Sequence, residues 1–91
     1  MAKGLFGLAF ASAATKFLNR MKPGKIRAQI AKKAKSLIND PHPKGCNKIA
    51  GMRDSDDPVW RIRSGDYRIL YAVREIEVII LDIDNRKDVY R

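Results

Sequence analysis

Cysteine and histidine are almost absent from this 91-residue chain. Cys46 is the only cysteine, so no disulfide can form within the chain, which suits a reducing cytoplasm. Its neighbours Gly45 and Asn47 offer no partner that could activate a thiol, and we expect Cys46 to be a packing residue in a loop. His42, the sole histidine, lies between two prolines and is also expected to be a loop residue. A histidine pair of the ribonuclease kind is excluded.

Motifs for metals, cofactors and nucleotides are missing too. With one histidine and one cysteine, a metal site would depend on Asp54, Asp56 and Asp57, which we interpret as residues that keep a loop soluble. No phosphate-binding glycine loop, nucleophile elbow or zinc motif occurs in the sequence. We therefore expect an activity that uses no metal and no cofactor.

The chain also lacks a long apolar run. The stretch Leu5–Phe10 before Ala11-Ser12-Ala13 resembles a signal peptide only weakly, since it is short and glycine interrupts it. It is far below the roughly 20 residues that cross a bilayer. We expect a buried first β-strand around Leu5–Phe10 and no membrane partner.

Acidic residues are scarce in the first half of the chain. Residues 1–50 carry 11 basic residues and one acid, Asp40, whereas residues 51–91 carry 8 basic and 9 acidic residues. The halves therefore hold +10 and −1, which together give the net charge of +9. Such a surplus favours a polyanionic partner, although a solvated lysine-rich surface would show the same composition.

Two helices are predicted after the first strand. Ser12 can cap the first helix, which Pro23-Gly24 ends. The second ends at Asn39-Asp40-Pro41, because the residue before proline avoids helical geometry. The apolar positions of the first helix are Ala14, Phe17, Leu18 and Met21. Those of the second are Ile26, Ile30, Ala34, Leu37 and Ile38, with Arg27, Lys32, Lys33 and Lys35 away from them.

The second half of the chain indicates strands. Residues Pro41–Pro58 are interpreted as a long loop with a brief ordered stretch at Lys48–Gly51. From Val59 apolar residues alternate with polar ones, as in a strand. Arg74-Glu75 is expected to be a tight turn into a strand over Ile76–Ile83, which is apolar on both faces and therefore central. The whole chain is thus one domain of α+β class: a two-helix hairpin packed on one face of a mostly antiparallel four-stranded sheet, in the order β-α-α-β-β-β.

The pairing of the first two C-terminal strands can be argued from charge burial. A four-residue loop from Ser64 to Tyr67, with Gly65 in an unusual backbone conformation, pairs Arg63 with Arg68. The core face then holds Trp60, Ile62, Ile69 and Tyr71, and the opposite face holds Arg61, Arg63 and Arg68. A three-residue loop would bury Arg68 without a partner, at a cost on the order of several kcal/mol. The four-residue loop is therefore preferred.

Three guanidinium groups on one patch need an anion between them. Arginine holds phosphate through two parallel hydrogen bonds and keeps its charge at physiological pH, so the patch suits a phosphodiester. Arg86, Tyr90 and Arg91 follow the last strand and could fold back onto this face. The alternative is a solvated strand face whose arginines pair with Asp66, Glu77 or Asp88.

Two segments carry a family resemblance. Trp60–Tyr71 resembles the strand–turn–strand signature of the RelE/ParE toxin superfamily, and Asn85–Tyr90 resembles its C-terminal motif. The helix pair, the loop with Lys48 and Gly51, and the element order agree over nearly the whole chain. The resemblance implies a toxin of a type II toxin–antitoxin system.

The RelE branch of this superfamily implies an activity. Its members cleave messenger RNA in the ribosomal A site without a metal, when the ribose 2′-hydroxyl attacks the adjacent phosphate. The catalytic positions that the resemblance carries over are Arg61, Arg63, Arg68, Arg86 and Tyr90. Arg61 and Arg63 would grip RNA near the 2′-hydroxyl, together with Lys48 and Arg91 as further RNA-binding residues. Arg68 would stabilise the phosphorane, and Arg86 would assist the leaving oxygen. Tyr90 would stack on a base or orient the nucleophile.

Two departures from the family pattern affect this assignment. Some relatives have lysine at Arg61 or Arg63, where it could act as a base, whereas arginine does not readily lose its proton. Asp84-Asn85 stands where many relatives have Gly-His. The general base is therefore unidentified, and catalysis would rest on positioning and charge stabilisation.

The resemblance also implies partners and leaves alternatives. The expected partners are messenger RNA, the ribosome and an acidic RelB-like antitoxin whose amphipathic helix wraps the toxin and blocks or displaces the arginines. One alternative is a ParE-like inhibitor of DNA gyrase without nuclease activity. Another is a degenerate member that binds only its antitoxin. Arg86 and Tyr90 together favour the nuclease.

Overall fold

A computed structural model describes residues 6–85 of the chain. These residues form two helices and one five-stranded sheet. The elements in chain order are β1 (Gly7–Phe10), α1 (Ser12–Arg20), α2 (Lys25–Ser36), β2 (Asn47–Asp54), β3 (Asp57–Ser64), β4 (Tyr67–Arg74) and β5 (Glu77–Asn85). The strands lie in the order β1-β5-β4-β3-β2. Among these strands only β1 and β5 run parallel, so the α+β class and the mostly antiparallel sheet are confirmed.

The sheet has five strands, so the prediction of four is wrong. The missed strand is β2, within the segment that was expected to be a loop. β2 is mostly exposed and its pairing with β3 is irregular between Lys48 and Arg53, with Gly51 at a φ of 77°. Because no residue of β2 is fully buried, its sequence has no alternation of apolar and polar residues from which a strand could be predicted. Leu5 lies outside the described residues, and β1 begins at Gly7. The expectation of a buried first strand is wrong, because β1 is an edge strand whose end residues are exposed.

The helices pack as predicted along most of their length. Ala14 is buried in α1, and Phe17, Leu18 and Met21 pack against the core. The predicted cap is wrong, since Ser12 is already helical and no side chain caps the helix at Ala11. In α2 the buried residues are Ile30, Ala34 and Leu37, which follows the helix as its C-cap.

Two details of α2 differ from the prediction. Ile26, in the first turn, is 55% exposed and lies outside the core. The helix ends at Ser36 rather than at Asn39–Pro41. The Ser36 hydroxyl donates to the carbonyl of Lys33 at 2.6 Å, and the amides of the next residues bond three residues back. This tighter turn ends the α-helix before the proline is reached.

The core lies between the helices and one face of the sheet. The strands contribute Ile62, Ile69, Tyr71, Val78, Ile80 and Ile83. β5 pairs with strands on both sides, which confirms its predicted interior position. Leu70 pairs with Asp82 but Tyr71 pairs with Ile80, so Leu81 is a bulge in β5. This bulge lets Ile80 and Ile83 share one face although they are three residues apart.

Three hairpins join the last four strands, and each has a two-residue turn. The turns are Ser55-Asp56, Gly65-Asp66 and Glu75-Ile76. In each, the first residue has a positive φ: 55° at Ser55, 61° at Gly65 and 55° at Glu75. The last turn therefore lies one residue after the predicted Arg74-Glu75. The predicted four-residue loop from Ser64 to Tyr67 is two residues long, because Ser64 and Tyr67 pair as strand residues, and this leaves the predicted pairing of Arg63 with Arg68 unchanged.

Candidate anion-binding site

The register of β3 and β4 brings three arginines to one face of the sheet. Arg63 pairs with Arg68, and Arg61 pairs with Leu70, as the charge-burial argument predicts. The alternate positions Ile62, Ile69 and Tyr71 are buried under the helices. We call the surface formed by Arg61, Arg63 and Arg68 the arginine face. It points away from the helix-packed core, since side chains alternate along a strand.

Arg68 is held by a carboxylate from the neighbouring strand. Its Nε donates to Asp84 Oδ1 at 2.9 Å, and its Nη2 donates to Asp84 Oδ2 at 3.2 Å. Only 18% of the Arg68 side chain is exposed, against 37% of that of Asp84. The pair is bidentate, which fixes the plane of the guanidinium as well as its distance. Sequence analysis considered Asp66, Glu77 and Asp88 as partners and missed Asp84. Regular alternation along β5 would place Asp84 on the core side, whereas the bulge at Leu81 turns Asp84 to the side of Arg68.

Arg61 lies in a small pocket on the same face. The pocket has a volume of about 270 Å³ and also contains Arg68 and Asp84, with Ile49, Met52 and Leu70 as apolar walls. The Nε of Arg61 is buried and has no hydrogen-bond partner among residues 6–85. A buried donor without an acceptor is costly, and an anion bound in the pocket would supply the missing acceptor.

Arg63 is exposed at the end of β3. It sits directly across from Arg68, so their side chains start within about 5.5 Å of each other. The pairing of β3 with β2 stops at Arg61, so β3 extends past β2 at this position. Arg63 therefore lies at a corner of the arginine face, next to an open strand edge.

The structure does not bring every predicted residue to this face. Lys48 pairs with Trp60, which places it on the helix side of the sheet, opposite to Arg61. Arg86, Tyr90 and Arg91 lie outside the described residues. The described part of β5 ends at Asn85, which pairs with Tyr67, the residue before Arg68.

A second ion-pair cluster lies at the other end of the sheet. Arg74 donates to Asp57 at 2.7 Å and to Asp54 at 2.8 Å. The hydrogen bonds to Asp57 and then Asp54 raise the pKa of Arg74. Two of the three aspartates that were interpreted as solubilising residues therefore tie the β2–β3 hairpin to β4, and that interpretation is wrong for them.

The loop after α2 packs against the helix side of the sheet. His42 is in a loop, as predicted, and its ring centroid lies 4.4 Å from that of Trp60. Cys46 is partly buried and packs against the core, as predicted. The Tyr71 hydroxyl donates to the carbonyl of Pro41 at 2.6 Å. Burial raises the pKa of Tyr71 well above its usual range, and a hydrogen bond with Cys46 raises it further.

Neither metal ligation nor membrane crossing is indicated within residues 6–85. No three His, Cys, Asp or Glu side chains of this part of the chain come together as a metal site requires. None of its helices has the length and apolar character to cross a membrane.

The sequence matches one protein family along nearly its full length. Residues 8–90 match the family described as the ParE toxin of the type II toxin–antitoxin system parDE. The chain belongs to this toxin family. No curated protein matches it.

Solved structures of toxins have the same fold. An archaeal RelE in complex with RelB from Pyrococcus horikoshii is 23% identical with a TM-score of 0.74, over 90% of this chain and 96% of that one. A RelE in its RelB complex from Methanococcus jannaschii is 28% identical with a TM-score of 0.67, over 90% and 94%. A chain of the RelBE2 complex from Mycobacterium tuberculosis is 23% identical with a TM-score of 0.68, over 89% and 98%. The chain is therefore a toxin of the RelE/ParE superfamily.

Proposed function

We propose that this toxin is a metal-independent endoribonuclease that cuts messenger RNA on the arginine face. The observation that carries the proposal is the buried Nε of Arg61, which has no partner within residues 6–85 and lies in a pocket shared with Arg68. A phosphodiester in this pocket would accept from Arg61 and lie beside a guanidinium that is already oriented. Arginine is suited to this task because it remains charged and binds phosphate in a planar, bidentate manner.

The reaction is an attack of the ribose 2′-hydroxyl on the adjacent phosphorus. The 5′-oxygen of the next nucleotide leaves, so the products carry a 2′,3′-cyclic phosphate and a 5′-hydroxyl. Arg61 and Arg63 hold the strand near the nucleophile, and Arg68 stabilises the charge that develops on the non-bridging oxygens. Arg86 assists the leaving oxygen, and Tyr90 stacks on a base or orients the nucleophile. Arg91 binds RNA outside the reacting group, whereas Lys48, on the other side of the sheet, takes no part in this contact.

The ribosome is proposed to complete the site. None of the three arginines on the face is a practical general base, since arginine does not readily lose its proton. Catalysis then depends on the geometry of the substrate, and a codon held in the ribosomal A site presents a defined strand conformation. We accordingly propose a cytoplasmic protein that acts on translated messenger RNA.

An acidic antitoxin is the proposed protein partner. The chain carries +9, and the solved relatives from Pyrococcus horikoshii and Methanococcus jannaschii are in complexes with RelB antitoxins. An amphipathic helix with an acidic face would complement the basic toxin and block or displace the arginine face. Antitoxin binding would also stabilise the fold in proportion to its affinity and concentration.

Inhibition of DNA gyrase is the second candidate, and the match to the ParE family favours it. A gyrase inhibitor would use the same fold as a binding surface and would leave RNA intact. The two functions differ in their products, so a single purified toxin can be tested for both.

The test is primer extension on an mRNA held in the A site of a reconstituted ribosome. The toxin is treated with EDTA beforehand, and magnesium is kept at the level that the ribosome needs. We expect cleavage by the wild type, and Arg68→Ala and Arg86→Ala should each slow it by about 10²–10³. Arg20→Ala, at the exposed end of α1, is the matched control and should cut at the wild-type rate.

Tyr90→Phe completes the series, because it shows whether the hydroxyl or only the ring is needed. Intact mRNA together with blocked gyrase supercoiling would reject the nuclease and support the second candidate. Intact mRNA with active gyrase would reject both.

A further inference from the structure

Helix α2 is rich in basic residues and contains no acidic one. Its sequence from Lys25 to Ser36 has five lysine or arginine residues and no aspartate or glutamate. Lys32 and Lys35 are three residues apart, a spacing at which like charges on a helix repel each other. A helix with no acidic residue to offset this repulsion is stabilised by an external anion.

A groove joins this helix to the hairpin of β3 and β4. Its volume is about 390 Å³, and Gln29, Lys32, Lys33 and Ser36 of α2 face Arg63 and Ser64 across it. We call it the α2 groove. No acidic side chain is among the described residues that line it. Three cations, an amide and two hydroxyls are a set of groups that suits phosphate oxygens.

Arg63 connects the α2 groove to the arginine face. It lines the groove and also lies directly across from Arg68. Because β2 pairs with β3 only as far as Arg61, no strand among the described residues separates Arg63 from the groove at this edge. A polyanion bound at Arg68 can therefore continue over Arg63 toward Lys32 and Lys33.

We propose that the α2 groove binds the phosphate backbone of the same RNA strand that lies on the arginine face. The inference extends the proposed function, since it gives the substrate a second binding region outside the reacting phosphate. An acidic amphipathic helix is the competing occupant. It would need large apolar side chains to pack against, whereas the described residues that line the groove offer only the aliphatic stems of polar side chains and Gly65. The observations therefore favour RNA.

The experiment measures binding without cleavage. The probe is a fluorescent single-stranded oligoribonucleotide with 2′-O-methyl groups throughout, which removes the attacking hydroxyl. Its affinity is measured against salt for the wild type, Lys32→Gln/Lys33→Gln and the control Lys16→Gln/Lys22→Gln. Both double variants lose the same charge at exposed positions, and Lys16 and Lys22 do not line the groove. Circular dichroism and thermal midpoints verify that each variant is folded.

We expect the groove variant to bind more weakly and to have a shallower salt dependence. The slope of log K against log salt should fall by about 0.7 for each phosphate that the protein no longer neutralises, hence by about 1.4 for the pair of lysines. The control should keep the wild-type slope. Equal slopes in the two variants would overturn the proposal.

Poly-L-glutamate distinguishes RNA from an acidic protein. If the groove substitutions weaken binding of this polymer and leave the RNA slope unchanged, the occupant is an acidic peptide and the proposal fails. The outcome is separate from that of the cleavage test. If the toxin does not cut mRNA but the groove variant has the reduced salt slope, the groove proposal stands and the nuclease proposal fails. If the toxin cuts mRNA but the salt slope of the groove variant is unchanged, only the groove proposal fails.

Discussion

Arg68 of β4 and Asp84 of β5 face each other across the sheet and share two hydrogen bonds, of 2.9 and 3.2 Å. This carboxylate occupies one side of a guanidinium that, in the proposed function, stabilises a phosphorane. It orients Arg68 and at the same time offsets part of the positive charge of the arginine face. The two effects act in opposite directions on RNA, since orientation favours the transition state and the negative charge repels the substrate.

Asp84→Asn should therefore separate binding from catalysis. Loss of the negative charge strengthens the attraction for RNA, so KM should fall. Loss of the bidentate anchor frees Arg68 to rotate, so kcat should fall as well. Steady-state cleavage kinetics check both values. Asp82→Asn is the control, because Asp82 is exposed on the same strand and its Oδ1 accepts from the amide of Ile83. A kcat for Asp84→Asn equal to that of the control would exclude a positioning role.

Arg61→Met should raise the stability of the fold and slow RNA cleavage. The substitution removes a buried donor that has no partner within residues 6–85 and keeps an unbranched apolar stem. We expect the free energy of unfolding to rise by about 1 kcal/mol, measured by urea denaturation. RNA cleavage should fall by about 10²–10³ in the same variant. A loss of stability instead would mean that the wild-type guanidinium is satisfied.

Tyr71→Phe should cost about 1 kcal/mol of unfolding free energy at neutral pH, because the hydrogen bond to Pro41 is lost. The raised pKa of the wild-type tyrosine adds a pH dependence. The stabilisation from the protonated hydroxyl is fully present below the ordinary pKa of about 10 and is lost as the pH rises above it. Urea midpoints between pH 8 and pH 11 should fall more steeply for the wild type than for Tyr71→Phe. If the urea midpoints of the two proteins fall in parallel as the pH rises, the pH dependence does not come from Tyr71.

Glu75→Gly should stabilise the β4–β5 turn. Glu75 has a φ of 55°, which strains a residue with a Cβ, whereas Gly65 has a φ of 61° at the same position of the β3–β4 turn. Relief of strain outweighs the added chain entropy, and the unfolding free energy should rise by about 0.5–1 kcal/mol. Gly65→Ala should lower it by about 1 kcal/mol, since open space around Gly65 leaves only the backbone penalty. Thermal midpoints that move in the opposite directions would reject this interpretation.

Sequence analysis predicted the parts of the molecule in which hydrophobic spacing and the cost of burying a charge act between near neighbours. The core-facing side of α1 followed from the helical spacing of its apolar residues. The pairing of Arg63 with Arg68 followed from the cost of burying a charge, and the structure has the same pairing. In both cases, residues that are close in sequence or joined by one short turn decide which side chains are buried. A few neighbouring residues are therefore enough to predict the burial pattern.

Features that depend on the pairing of strands distant in sequence could not be predicted and became clear from the folded chain. No residue of β2 is fully buried, and its place in the sheet comes from its pairing with β3 alone. The bulge at Leu81 arises where β5 must match β4 at both ends, and it turns Asp84 from the core side to the side of Arg68. Simple alternation from Ile80 would bury Asp84. The carboxylate lies beside the arginines because burying it under the helices would remove its solvation, whereas Arg68 supplies a charged partner for it on the open face.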